Sequence, residues 1–190
     1  SGFNCFVNYD DMNRKQMDQA QEAGLKVIYS VKDYYNKIHY SPSEIKCVED
    51  EVNLLSKKAK RLRNHPALFA WYVNDERGPS ELPQHLTHYE ALNELDPDHP
   101  AWSLHNKPYE EHLLIDTCDV IGTDTYPVPS KPLSDVSKDT QATFQAVKHS
   151  RPVWMVPQIM NWQVHGRSNC RPPTLEEMRC MSWQAICEGA

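Results

Sequence analysis

The chain reads as an α/β protein built on a parallel sheet, and three features of the sequence say so. Six short apolar runs alternate with six stretches of helical character along 190 residues, which is the pattern of repeated strand-to-helix crossovers. Each apolar run stops on polar residues, and in such folds the loops outside the carboxyl ends of the strands are where ligands bind. No run is followed by a glycine-rich phosphate loop such as GxGxxG or GxxxxGK[ST], so a dinucleotide-binding fold is disfavoured.

The elements follow in order. Residues 3–7 form a short strand that ends in Asn8-Tyr9-Asp10-Asp11. Residues 11–23 carry Met17, Ala20 and Ala23 at helical spacing, and Gly24 stands where a left-handed cap closes a helix. A second strand over 25–31 ends in Lys32-Asp33-Tyr34-Tyr35. Ser41-Pro42-Ser43-Glu44 combines a capping serine, a first-turn proline and a glutamate three residues after the cap. Ile45, Val48, Val52, Leu55, Ala59 and Leu62 then step by three and four, which predicts a helix with one buried stripe.

The third strand starts near Leu68 and runs into Asn74-Asp75-Glu76-Arg77. Leu82, Leu86, Tyr89, Leu92 and Leu95 mark the next helix, and Asp96-Pro97-Asp98-His99-Pro100 is a turn cluster. Residues 101–104 make a fourth strand ending in His105-Asn106, a brief helix falls near 109–115, and 120–122 is a fifth strand ending in Thr123-Asp124-Thr125-Tyr126-Pro127. A helix over 135–149 precedes a sixth strand at 153–156, which ends in Pro157-Gln158. The polar stretch 161–173 is a long loop of the kind that is often functional. Thr174-Leu175-Glu176-Glu177 is a capping box that opens the last helix, with Met178, Met181 and Ala185 inward.

Composition narrows the function classes. The net charge is −6, and the one basic run, Lys57 to Arg63, falls largely on the polar face of a predicted helix, so nucleic acid is not an expected partner. No apolar stretch approaches the roughly 18 residues of a membrane span. Six cysteines, at 5, 47, 118, 170, 180 and 187, contain no C-x-x-C pair, which argues against structural zinc and predicts buried free thiols. No cofactor and no metal is expected. His85 and His88, three apart on a helix, lack an acidic partner in their motif and are expected to face solvent.

The chemistry concentrates after the third strand. An adjacent Asp75-Glu76 pair fits the first turn of a helix, and equally the carboxylate end of a strand in a catalytic fold. The run His65-Pro66-Ala67-Leu68-Phe69-Ala70-Trp71-Tyr72-Val73-Asn74-Asp75-Glu76 resembles the fourth-strand region of (β/α)8-barrel glycoside hydrolases of the large retaining clan. The segment from Asp119 to Pro127 resembles that family's sixth strand, and Arg151 to Gln158 its seventh.

The resemblance implies an incomplete (β/α)8 TIM barrel, with 1–190 as one partial catalytic-like domain holding strands two to seven and lacking the first and eighth. A barrel with open edges is expected to fold poorly by itself. The resemblance further implies hydrolysis of glycosidic bonds in an oligo- or polysaccharide, with Glu76 as general acid/base and a carbohydrate as partner. A non-catalytic carbohydrate-binding barrel is the alternative, and a barrel lyase or aldolase using the same acidic rim ranks below it, Lys32 being the one candidate for an aldolase's lysine.

Two departures bear on mechanism. The family has Asn immediately before the acid/base, where this chain has Asp75 with Asn74 one place earlier. It has Glu at the end of the seventh strand, where this chain has Gln158, and an amide cannot form a glycosyl ester. The second group is therefore either Asp75, as in the substrate-assisted hexosaminidases whose adjacent Asp-Glu it resembles, or Asp124 or a carboxylate outside this stretch. Asp75 is expected to raise the pKa of Glu76. Asn74, Gln158, Tyr126, Asp33, Tyr9, Asp10, His105 and Trp162 are candidate substrate-binding residues, with Tyr34 and Tyr35 as further candidates for stacking on sugar rings.

Overall fold

The computed structural model describes residues 2–190. All six strands are present: β1 (Cys5–Val7), β2 (Lys26–Ser30), β3 (Leu68–Asp75), β4 (Ala101–His105), β5 (Val120–Thr125) and β6 (Val153–Pro157). They occur in the sheet in the order in which the chain makes them, and β1–β2, β2–β3 and β5–β6 pair parallel. A doubly wound sheet reverses its strand order at a switch point, so this order is consistent with part of a singly wound barrel. The chain divides into two compact units, one running to Ser103 and taking in Asp116–Asp119, the other comprising Leu104–Ile115 and Val120–Ala190.

In the first unit, Tyr29, Leu55, Leu62 and Trp71 are fully buried in one apolar cluster. Trp71 meets the burial cost of its indole N–H by donating 2.8 Å to Asp96, so the turn cluster at 96–100 is tied to the core. Helix α1 (Arg14–Glu22) has a reciprocal cap between Asn13 and Gln16, and Gly24 takes the expected positive φ of +71°. Helix α2 (Val48–Leu62) begins later than Ser41-Pro42 predicts. Asp50 decides this, because its carboxylate accepts the backbone N–H of Lys46 at 2.9 Å and of Cys47 at 3.2 Å. The basic run lies largely on the exposed face as expected, with Lys57, Lys60, Arg61 and Arg63 exposed and Lys58 alone buried. Lys58 pairs with Asp11, Arg61 donates to the Met12 carbonyl and Arg63 to the Leu95 carbonyl.

Helix α3 (Leu82–Leu95) departs most from expectation. Its buried residues are His85, His88 and Leu92, whereas Leu82, Leu86, Tyr89 and Leu95 are half-buried. The two histidines face inward because polar partners await them there, Tyr35 for His85 and Glu51 of α2 for His88.

The second unit contains helices α4 (Asp135–Ala146) and α5 (Leu175–Glu188), with Val136, Met181 and Ala185 buried between them. The capping box of α5 forms as predicted, and Arg171 holds Glu177 with two hydrogen bonds of 2.6 and 2.7 Å. The brief helix expected near 109–115 is two 3-10 segments, Pro108–Leu113 and Ile115–Thr117. All six cysteines are free as expected, but only Cys118 is buried; Cys180 and Cys187 sit on exposed positions of α5, and Cys47 is exposed at the N-cap of α2. Among the described residues no cluster of metal ligands occurs, and no helix is long and apolar enough to cross a membrane.

Candidate functional site

In the first unit the loops after β1, β2 and β3 meet through one lysine. Buried Asn8 accepts the Ser30 N–H at 3.0 Å and donates 2.7 Å to the Asp10 carbonyl, which fastens the loop bearing Tyr9 and Asp10 to the end of β2. Lys32, only 7% exposed, lies 3.0 Å from Asp33 and 3.3 Å from Asp75, with its ammonium 4.9 Å above the ring of Tyr9. Burial works against that charge, but the hydrogen bond to Asp33 and the nearby Asp75 carboxylate outweigh it and raise the Lys32 pKa. Tyr9, Asp33 and Asp75 are thus brought together, while Asp10 is exposed beside them. Below them Tyr72 stacks on Trp102 at 4.4 Å and meets Tyr9 edge-on at 6.3 Å.

Past Asp75 the backbone makes a tight turn. Glu76 adopts a left-handed φ of 59°, which costs a side-chain-bearing residue about 1 kcal/mol. Asn74 holds the turn closed, accepting the Arg77 N–H at 3.2 Å and donating 3.1 Å to the Arg77 carbonyl and 3.2 Å to the Ser103 hydroxyl. The Asn74 amide is therefore engaged within the protein, and Glu76 is carried exposed on the turn. Arg77 turns to Glu81 at 3.4 Å. Tyr34 and Tyr35 are 6% and 1% exposed, too buried to stack on a sugar.

The second unit places the remaining candidates. Asp124 lies within β5 and His105 ends β4, both buried. Tyr126 meets Trp162 edge-on at 5.8 Å, and the Arg167 guanidinium covers Trp162 at 3.8 Å. Gln158 is fully buried: its side-chain oxygen accepts the Val128 N–H at 2.8 Å, and its nitrogen donates to the carbonyls of Val128 at 3.0 Å and Met160 at 3.1 Å. This amide ties the loop after β5 to the loop after β6.

With this geometry in view, the chain was compared with known proteins. No family model matches, and no curated protein matches. Among solved structures, the β-galactosidase of Bacillus circulans sp. alkalophilus aligns at TM-score 0.73 and 14% identity over 98% of this chain and 45% of its own. The β-galactosidase of the psychrophilic Marinomonas ef1 gives 0.73 and 14% over 93% and 44%, and the β-D-glucuronidase of Dictyoglomus thermophilum 0.67 and 16% over 97% and 35%. The fold is shared with glycosidases. The chain spans less than half the length of each of these structures.

The setting of Gln158 yields a prediction. Gln158→Glu restores the carboxylate of the barrel glycosidase pattern but sets it against two backbone carbonyls with no donor to spare. It is expected to destabilise the protein by about 1–3 kcal/mol at pH 7, read as a lowered melting temperature, and to add no hydrolytic activity.

Functional residues missed in the sequence are those whose partners are remote. Lys32 pairs with Asp75 across more than forty positions. Tyr72 lies inside a strand, where nothing marks its hydroxyl. The clamp of Asn74 on Arg77 did have a local signal, an asparagine three residues ahead of the residue it bonds.

Proposed function

We propose that the protein is a glycoside hydrolase in which Glu76 is the general acid/base. The observation that carries this reading is the turn after β3: a glutamate held in a strained left-handed conformation by a buried asparagine, on a fold shared with β-galactosidases and a β-glucuronidase. Strain kept in a non-glycine residue at a strand end is a marker of function. Glycoside cleavage asks one carboxyl to protonate the leaving oxygen and a second group to stabilise charge at the anomeric carbon.

Gln158 does not supply that second group, being neutral and committed to the backbone. Asp75, oriented by Lys32, supplies it by holding the substrate's own acetamido group, the substrate-assisted route. Tyr9, Asp33 and Asp10 of the same unit serve to bind sugar hydroxyls and ring faces. An aldolase is disfavoured, since a lysine whose pKa is raised between two carboxylates lacks the free lone pair that imine formation needs.

The test is hydrolysis of a panel of aryl glycosides, N-acetylhexosaminides included, by the complete protein and its Glu76→Gln variant. The expected result is activity on at least one member that falls about 10²-fold or more in the variant, and a preference for acetamido sugars selects the substrate-assisted route. Sugar binding retained by both proteins without hydrolysis would replace this reading with the carbohydrate-binding one, which the neutral Gln158 favours.

A further inference from the structure

The turn that carries Glu76 is also gripped from outside. The carbonyl of Gly78, two residues past Glu76, lies 3.3 Å from Nε2 of His85. Nδ1 of the same ring lies 2.8 Å from the Tyr35 hydroxyl, which in turn lies 3.1 Å from the Val73 carbonyl. Val73 and Gly78 bracket the whole turn. His85 is 3% and Tyr35 1% exposed, so these groups must satisfy one another.

Protons are short by one. Burial, helped by His88 and Arg77 and opposed by the Gly78 hydrogen bond, pushes the His85 pKa down to about 4, so at neutral pH the ring has one N–H and the tyrosine one O–H for three contacts. In one arrangement Nε2–H donates to Gly78 and Tyr35 donates to Nδ1. In the other, Nδ1–H donates to Tyr35, Tyr35 donates to Val73, and a bare Nε2 lone pair faces the Gly78 carbonyl. Both arrangements keep the 2.8 Å contact; the first leaves the Tyr35 oxygen facing the Val73 carbonyl at 3.1 Å, the second leaves Nε2 facing the Gly78 carbonyl at 3.3 Å, and the intrinsic preference of a neutral imidazole for its proton on Nε2 selects the first.

Rotation of the Tyr35 ring is blocked on both sides. The His88 ring packs on it at 4.4 Å with a 32° tilt, and the Arg77 guanidinium lies 5.1 Å from its centre. His88 is itself fixed by Glu51 at 2.9 Å.

We infer that His85 and Tyr35 are positioning residues for Glu76: Nε2–H of His85, whose Nδ1 accepts the Tyr35 hydroxyl, pins the Gly78 carbonyl and fixes from outside the turn that Asn74 fixes from within. The inference rests on the reading of Glu76 as the acid, and it predicts behaviour that hydrolysis alone does not report.

The experiment combines nitrogen NMR of the histidines at pH 7, amide hydrogen exchange, and kinetics on the panel above, for the complete protein and for His85→Phe, His85→Gln and Tyr35→Phe. His85 is expected as the Nε2–H tautomer in the wild type. Exchange at residues 76–78 is expected to quicken about tenfold or more in His85→Phe and to return most of the way in His85→Gln, whose amide N–H reaches the same carbonyl. On any substrate hydrolysed, kcat of His85→Phe is expected to fall about ten- to a hundredfold with KM little changed, and His85→Gln to recover most of it.

Tyr35→Phe keeps the ring and loses the hydroxyl, the acceptor an Nδ1–H would need, so His85 is expected to stay the Nε2–H tautomer on the Gly78 carbonyl in this variant, a readout that stands even if His85→Phe fails to fold. An Nδ1–H tautomer in the wild type, unaltered exchange at 76–78, or a His85→Gln as impaired as His85→Phe would overturn the inference. So would unchanged kcat in His85→Phe beside faster exchange. Absence of hydrolysis by the wild type with the tautomer and exchange pattern intact removes the acid role of Glu76 and leaves the grip on the turn established.

Discussion

Glu51→Ala is expected to lower the unfolding free energy by about 3–5 kcal/mol, measured by denaturant titration. Glu51 is fully buried on α2, and three donors converge on it: the Asn36 N–H at 2.6 Å, the Gln84 amide at 2.9 Å and His88 Nε2 at 2.9 Å. Burial alone would raise its pKa, but these hydrogen bonds outweigh burial and lower it, so the carboxylate stays ionised. Truncation strands all three donors away from water and leaves a void, and each stranded donor costs about 1–3 kcal/mol before relaxation.

Glu51→Gln keeps an acceptor for Asn36 and Gln84 but turns an NH₂ toward His88, so its cost is expected to be smaller, about 1–2 kcal/mol. Equal costs for the two variants would show that shape, and not the acceptor oxygens, is what this position supplies. Either substitution also loosens His88 from Tyr35, which links α2 to the turn bearing Glu76 through packed side chains.

The same network shows what the sequence could and could not disclose. Strand number and order were legible because each strand is a compact apolar run bounded by polar residues, a signal contained within a few positions. The α5 cap was legible for the same reason, since Thr174 and Glu177 are three residues apart and complete each other. The inward face of α3 was not. Leucines at 82, 86, 92 and 95 outweigh two histidines in any count of apolar spacing, yet His85 and His88 take the buried positions because Tyr35 and Glu51, fifty and thirty-seven residues away, complete their hydrogen bonds.

Asp50 likewise overrode the stronger local start signal at Ser41 by capping two backbone N–H groups. The polar end of the strand after Val73 was legible, whereas the partners of individual groups were not: Lys32 for Asp75, the Val128 backbone for Gln158. Local pattern locates a site; remote pairing decides what its groups can do.

Glu111 is the clearest case of a group whose state depends on packing, and it predicts an unusual dependence of stability on pH. It lies in the 3-10 segment Pro108–Leu113, fully buried against α4, and neither carboxyl oxygen has a hydrogen bond of good geometry. Burial pushes its pKa up to about 7, opposed by the Thr143 hydroxyl and helped, to a smaller extent, by the Asp139 carboxylate of α4. Asp139 itself accepts a hydrogen bond from Thr125 at 2.6 Å. Within its own segment, Glu110 is taken by Lys107 and His112 is turned to the Tyr109 carbonyl.

The folded chain therefore holds a proton on Glu111 that the unfolded chain gives up near pH 4.5. The associated stability is complete below that value and is lost as pH rises to about 7, by on the order of 3 kcal/mol. Glu111→Gln removes the titration while keeping the shape. It is expected to match the wild type at pH 4.5 and to melt several degrees higher at pH 8. A wild type that melts no lower at pH 8 than at pH 5 relative to this variant would mean that the carboxylate finds water or a cation on ionising, and that the 3-10 segment yields without unfolding.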